Sequence, residues 1–228
     1  MTAEYPYPVI DPTANQIIVA VGRKGSGKSK AAREHFRGWP ATDRLIIDIN
    51  GSADPGDDQD VVLLTGPPPT ELPPRRDPDV PITCRWIADP RAATFRDDVD
   101  RALGAALYPK DRRTLVWVDE MGEVFAAGQT GPNARLLLHQ SRHHRTSALL
   151  CGPRAKMIDP LVLGQADRVL MFDLPNSLDR ARIAENIGIP LARLADVLNE
   201  TSRRGAHWST LYVAEEHRLY RVPPFQLT

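Results

Sequence analysis

The chemistry in this 228-residue chain is concentrated in Gly22-Arg23-Lys24-Gly25-Ser26-Gly27-Lys28-Ser29, followed by Lys30. Glycines at the first, fourth and sixth positions let a backbone wrap an anion with successive amides pointing inward. A helix opening at Lys28 adds the positive end of its dipole. In this pattern Lys28 reaches the β- and γ-phosphates of a nucleoside triphosphate, and the Ser29 hydroxyl ligates magnesium. The expected ligand is ATP with Mg2+, cradled by Gly22 to Lys30.

A second constellation is Asp119-Glu120, directly behind the apolar run Leu115–Val118. A buried parallel strand delivers its last residues into the crevice where ligands bind. Asp119 is expected to hold the magnesium shell, and Glu120 to orient and deprotonate the attacking water. An acid poised for water separates this pattern from small-molecule kinases, where a substrate hydroxyl is the nucleophile.

The elements that must position these residues follow from periodicity. Apolar runs at Gln16–Val21, Arg44–Ile49, Ile82–Ile87, Thr114–Val118, Ser147–Cys151 and Asp167–Phe172 read as strands, with a short one at Val61–Leu64. Lys28–Arg37, Phe95–Leu107, Asn133–Arg145, Ser177–Ile187 and Leu191–Asn199 read as helices, and Trp208–Val213 with Arg218–Val222 as a terminal hairpin. The alternation predicts an α/β fold with a mainly parallel sheet flanked by helices and a C-terminal β-hairpin, in one domain spanning 1–228. Asp54–Asp60 reads as an exposed acidic loop. Thr65–Pro81, dense in proline, is expected to be an irregular surface excursion, disordered or lying against a neighbour.

Composition narrows the class. Lys plus Arg (29) balances Asp plus Glu (29), so any nucleic-acid contact must rest on local rather than net charge. No run of about 18 apolar residues is present, so no membrane insertion is expected. The polar N-terminus is unlike a signal peptide. Cys84 and Cys151 each sit in an apolar run and read as buried thiols.

The stretch Leu136–Ile189 resembles the HerA–FtsK superfamily of hexameric DNA translocases. The likeness is carried by Arg142-His143-His144-Arg145, Ser147–Cys151, Asp159-Pro160, Asp167-Arg168, Phe172 and Asp179-Arg180, with Asp48 ending the second strand. Together with the phosphate loop it covers roughly residues 16–190. It implies a RecA/ASCE-like P-loop core, a homo-oligomeric ring, most simply a hexamer, with ATP between subunits, and an arginine supplied in trans. Arg168 and Arg180 lead as that arginine, ahead of Arg142 and Arg145. The family glutamine that senses the γ-phosphate is absent, because Gly152-Pro153-Arg154 stands there.

The chain has little beyond the motor, and in this it resembles the compact genome-packaging ATPases of internal-membrane-containing, double-jelly-roll viruses. That likeness implies pumping of double-stranded DNA into a preformed capsid. Partners would be the capsid vertex or membrane-associated packaging proteins, and the location the host cytoplasm or the virion packaging vertex. Gly128–Asn133 with Arg135, and the Pro-rich Thr65–Pro81 with Arg75-Arg76, read first as inert surface loops, with lining the pore or facing the capsid as the functional alternative. A plasmid-transfer or conjugative ATPase, a small-molecule P-loop kinase and a non-hydrolysing ATP-dependent scaffold are the alternatives.

Overall fold

The computed structural model describes residues 3–5, 10–11, 14–40, 42–56, 60–109 and 112–224. Residues 57–59 of the expected acidic loop lie outside them. Nine strands form one sheet in the order β3-β4-β2-β5-β6-β1-β7-β8-β9. They are β1 (Ile17–Val21), β2 (Asp43–Asp48), β3 (Val61–Leu64), β4 (Thr83–Ile87), β5 (Thr114–Val118), β6 (Thr146–Gly152), β7 (Arg168–Met171), β8 (Ser209–Val213) and β9 (Arg218–Val222). The first seven pair in parallel, and β8 and β9 extend the sheet antiparallel.

The central strands are uninterrupted apolar runs because both faces of the sheet are covered. Alternation along each strand then divides the core. Ile18, Ala20, Ile46, Leu115, Trp117, Leu149 and Leu170 meet α1 (Lys28–Gly38) through Ala31, Ala32 and Phe36. Phe36 and Trp117 pack with ring centroids 5.4 Å apart. The other face is covered by α2 (Phe95–Leu107), α3 (Met121–Val124), α4 (Pro132–Gln140), α5 (Pro160–Gly164), α6 (Ser177–Ile187) and α7 (Leu191–Arg203). Local chemistry sets their ends. Asn176 accepts from Leu178 N at 2.9 Å to start α6, and Gly188 (φ 68°) closes it in the left-handed conformation. Asp159 accepts from Leu161 N to start α5.

Three expectations need correction. The helix expected over Asn133–Arg145 stops at Gln140, and the chain turns before Arg145 adopts φ 53° and enters β6. The apolar stripe of α4 ends at Leu138, so nothing buries a further turn. The helix expected to end at Asn199 runs to Arg203, because Thr201 is buried and bonds Thr210 of β8 at 2.9 Å. The Pro-rich segment has no regular structure, as its composition requires, but it is fastened to its own sheet. Leu72 is buried, and Gly66 O accepts from the Trp86 indole at 3.3 Å.

The clasp for that segment is Asp43, fully buried at the N-terminal end of β2. Its carboxylate accepts from Arg75 Nε at 2.9 Å and from Ile82 N at 3.0 Å, and Arg112 Nη1 lies 2.8 Å away. One buried anion thus pairs with two arginines from distant segments. Asp43→Ala would leave both cations and one amide without their partner. Denaturant unfolding should register a loss of about 3 kcal/mol, with earlier proteolytic cleavage within 65–81; an unchanged midpoint would show that Asp43 does not hold this segment.

Candidate nucleotide site

Parallel strands send their C-terminal ends to one edge of the sheet, and the two chemical motifs emerge there side by side. β1 hands the chain to Gly22 and β5 hands it to Asp119, with only β6 between them. At Gly22 a Cβ would stand 2.6 Å from Phe172 Cβ, so only glycine fits beside the end of β7. Gly25 (φ 77°) and Gly27 (φ 103°) occupy conformations that L side chains rarely adopt. The loop is tied to the neighbouring strand end: Arg23 N donates to Asp173 O at 3.0 Å, and the Arg23 guanidinium meets the Asp173 carboxylate at 2.6 Å.

Lys28, in the first turn of α1, folds back and donates to Arg23 O at 2.9 Å, bracing the loop from inside. Burial pulls its pKa down, and the nearby Glu120 and Asp119 carboxylates oppose that shift. Ser26 is buried, and among the described residues its hydroxyl has no hydrogen-bond partner. An orphaned buried hydroxyl in a loop of left-handed glycines fits a cradle completed by phosphate oxygens. Ser29 and Lys30 are exposed at the mouth.

The acidic side has its own scaffold. Asp48, fully buried at the end of β2, accepts from Ser52 N at 3.1 Å, Ala53 N at 3.2 Å and Arg85 Nε at 3.0 Å. This fixes the turn so that the Ser52 hydroxyl donates to Asp119 Oδ2 at 3.1 Å. Burial pushes the Asp119 carboxyl above its ordinary range, helped by Asp48 and opposed by Ser52 and Lys28. Glu120 is half-buried, and burial followed by the Asp119 charge raises its pKa too. Its backbone is left-handed (φ 64°, ψ 53°), a conformation costing a non-glycine residue on the order of 1 kcal/mol. Among the described residues no three His, Cys, Asp or Glu side chains cluster to hold a metal. The donor set of Ser29 hydroxyl and Asp119 carboxylate fits magnesium, which takes one or two protein oxygens and completes its shell with phosphate and water.

The arginines divide. Arg180, in the first turn of α6, lies toward the same edge but is held within the chain, donating to Leu174 O at 2.6 Å and Asn199 Oδ1 at 3.1 Å. Arg168 opens β7 at the opposite edge and is buried under the Tyr5 ring, 5.7 Å from its centroid. Arg142 is also at that opposite edge, but its side chain is 80% exposed, with Asp167 at 3.3 Å. The strands between the edges are four to seven residues long, so about 13–23 Å separates these two arginines from their own phosphate loop.

The position of the missing glutamine is occupied by packing. A Cβ on Gly152 would lie 2.9 Å from Met121 Cγ, so α3 sits where a side chain would project. Arg154 instead reaches buried Asp179 at 3.3 Å. Gly131 and Asn133, in the loop weighed as a pore or capsid contact against an inert surface loop, are pinned to α2. Ala134 N donates to Asp100 Oδ1 at 2.9 Å, Asn133 N to Oδ2 at 3.2 Å, and these residues line a cavity of about 410 Å³ with Arg96 and Arg101. Ser52, Asp173 and Asp100 were not expected. Each acts through a neighbouring strand or helix, and only the sheet order brings it to its partner. Cys84 and Cys151 are both free and buried, and burial pushes the Cys84 thiol up to about 11.

Neither a protein-family model nor a curated protein matches the sequence. Solved structures do. The genome-packaging NTPase B204 of Sulfolobus turreted icosahedral virus 2, in complex with ATP-gammaS, superposes with a TM-score of 0.69 at 19% identity, covering 95% of this chain and 100% of that one. B204, the DNA-packaging ATPase from Sulfolobus turreted icosahedral virus, gives 0.62 at 16% identity, with 92% and 98% covered. The chain therefore has the fold of the viral packaging NTPases: a P-loop α/β core with a mainly parallel sheet and a C-terminal hairpin.

The raised carboxyl of Asp119 has a sign that can be checked. A carboxylate whose folded pKa exceeds its unfolded value stabilises least once pH has risen through the folded pKa. Asp119→Asn keeps an acceptor for Ser52 and removes the buried charge. It should raise the thermal midpoint of the ligand-free protein at pH 7, and the gain should shrink as pH falls toward 3.8, the ordinary value. A midpoint lowered at pH 7 would contradict this electrostatic reading.

Proposed function

We propose that the chain is an ATP-hydrolysing translocase of double-stranded DNA that packages viral genomes as a ring oligomer. The observation that carries this reading is the arrangement of Gly22–Ser29 and Asp119-Glu120 on one sheet edge, at strand ends separated by a single strand, in a fold shared along 95% of the chain with a packaging NTPase in complex with ATP-gammaS. In the proposed site the loop amides, Ser26 and Lys28 bind the phosphates, and Lys28 exchanges its bond to Arg23 O for the β- and γ-oxygens. Magnesium, coordinated by Ser29 and Asp119, would supply positive charge against the phosphate oxygens. Glu120 accepts the proton of a water whose oxygen bonds the γ-phosphorus as the bond to the β-phosphate oxygen breaks, giving ADP and phosphate. Its raised pKa brings it nearer to neutral pH, where a general base is most effective.

In this reading an arginine from a neighbouring subunit completes the site and stabilises charge on the transferring phosphoryl group. Of the four arginines expected for that role, Arg142 and Arg145 are exposed and so suit reaching another copy, and Arg142 is the first to test; burial of Arg168 and the two intramolecular bonds of Arg180 favour structural roles for those two. The whole of 1–228 acts here as one motor domain. Arg75 is engaged by Asp43, whereas Arg76 is exposed and remains available to a DNA or capsid partner. No helix among the described residues is long and apolar enough to cross a membrane.

Glu120→Gln should retain ATP binding and lose turnover by about 100-fold or more, the contribution of a positioned base. Unchanged turnover would instead favour a non-hydrolysing scaffold. Lys28→Ala and Arg142→Ala should each be inactive alone, yet regain part of the wild-type rate when mixed, since some interfaces then pair an intact loop with an intact arginine. No recovery at concentrations where the ring forms would remove Arg142 from the trans role.

A further inference from the structure

If Gly22–Ser29 holds the triphosphate, the sheet order fixes which way the nucleotide points. Glu120 and Asp119 stand at β5, so the γ-phosphate lies on that side. The nucleoside must then extend the other way from β1, across β7 toward β8 and β9. On that side the loop between α7 and β8 and the segment after β9 converge on the start of α1. They form a cleft of about 40 Å³ whose walls include Gly27, Lys30, Phe172, His207, Pro223 and Pro224.

His207 stands out within it. A Cβ on Gly27 would lie 3.0 Å from His207 Nδ1, so the imidazole rests against the last glycine of the phosphate loop. The residue is exposed, and among the described residues its ring has no hydrogen-bond partner. Its backbone is nevertheless left-handed, at φ 68°, two residues after Gly205 at φ 127°. Arg204 stacked 5.3 Å over the Trp208 ring holds the next residue in place. A non-glycine residue in strained backbone whose ring gains no hydrogen bond among the described residues is a candidate for binding a ligand.

We propose that His207 is a nucleoside-binding residue, contacting the ribose and base of ATP bound at the phosphate loop. The cleft is too small to swallow a base. The base therefore lies across its mouth, with Phe172, Pro223 and Pro224 as the apolar floor and the imidazole at its edge. This assignment rests on the phosphate-loop reading, and it makes the α7–β8 loop and the C-terminal segment respond to the nucleoside rather than to the phosphates.

The test is titration calorimetry of the full chain with magnesium-ATP and with inorganic triphosphate, a ligand that lacks the nucleoside. His207→Gly accepts the left-handed backbone, and His207→Asn, which also tolerates it, serves if the glycine variant unfolds. Either should weaken ATP about tenfold and leave triphosphate binding unchanged. Equal weakening of both ligands, or no change in ATP binding, would overturn the proposal. Wild-type protein that binds neither ligand would instead sink the phosphate-loop reading on which it stands.

Discussion

The site depends on β1 being clamped in parallel register between β6 and β7. Ala20 and Val21 stand opposite Cys151 and Gly152 on one side, and Leu170 and Met171 on the other. That register lines up three strand ends in a row. It sets Gly22 against Phe172 and the Arg23 amide against Asp173. A slip of one residue would reverse every side chain on β1 and break each of these contacts together. The phosphate loop is therefore shaped by the sheet as much as by its own glycines.

The two edges of the sheet are built in opposite ways. At the N-terminal edge the buried charges are paired or covered, since Asp43 holds Arg75 and Arg112 and Arg168 lies under Tyr5, while Arg142 stays exposed beside Asp167. At the C-terminal edge charges are gathered and left in tension. Asp119, Glu120 and Lys28 face one another beside the buried Asp48, burial displaces the pKa values of those three, and Glu120 sits in strained backbone. Such an edge weakens the empty protein and becomes favourable when phosphate and cation arrive, which is how a binding site differs from a stability element.

The motifs legible in the sequence were those whose chemistry is local. Gly22–Ser29, the apolar run before Asp119-Glu120, the amphipathic face of α2 and the terminal hairpin all follow from spacing alone. What sequence could not supply was burial decided from afar. Arg168 looks like any arginine at a strand start, until residues 3–5 pair alongside β9 and bring Tyr5 over it. Thr65–Pro81 looks like free chain, until Asp43 of another strand binds Arg75. The strand order places Ser52 beside Asp119 and His207 beside Gly27, and no spacing along the chain encodes either contact.

Nucleotide binding and hydrolysis are shared by many proteins of this architecture, so movement along DNA is what distinguishes the proposed motor. The direct measurement is displacement of a third strand from a double-stranded DNA carrying a triplex block, with the full chain assembled on it. The account predicts ATP- and magnesium-dependent displacement, absent with ADP and lost in Lys28→Ala. Protein that hydrolyses ATP and binds the duplex yet never displaces the third strand would contradict it.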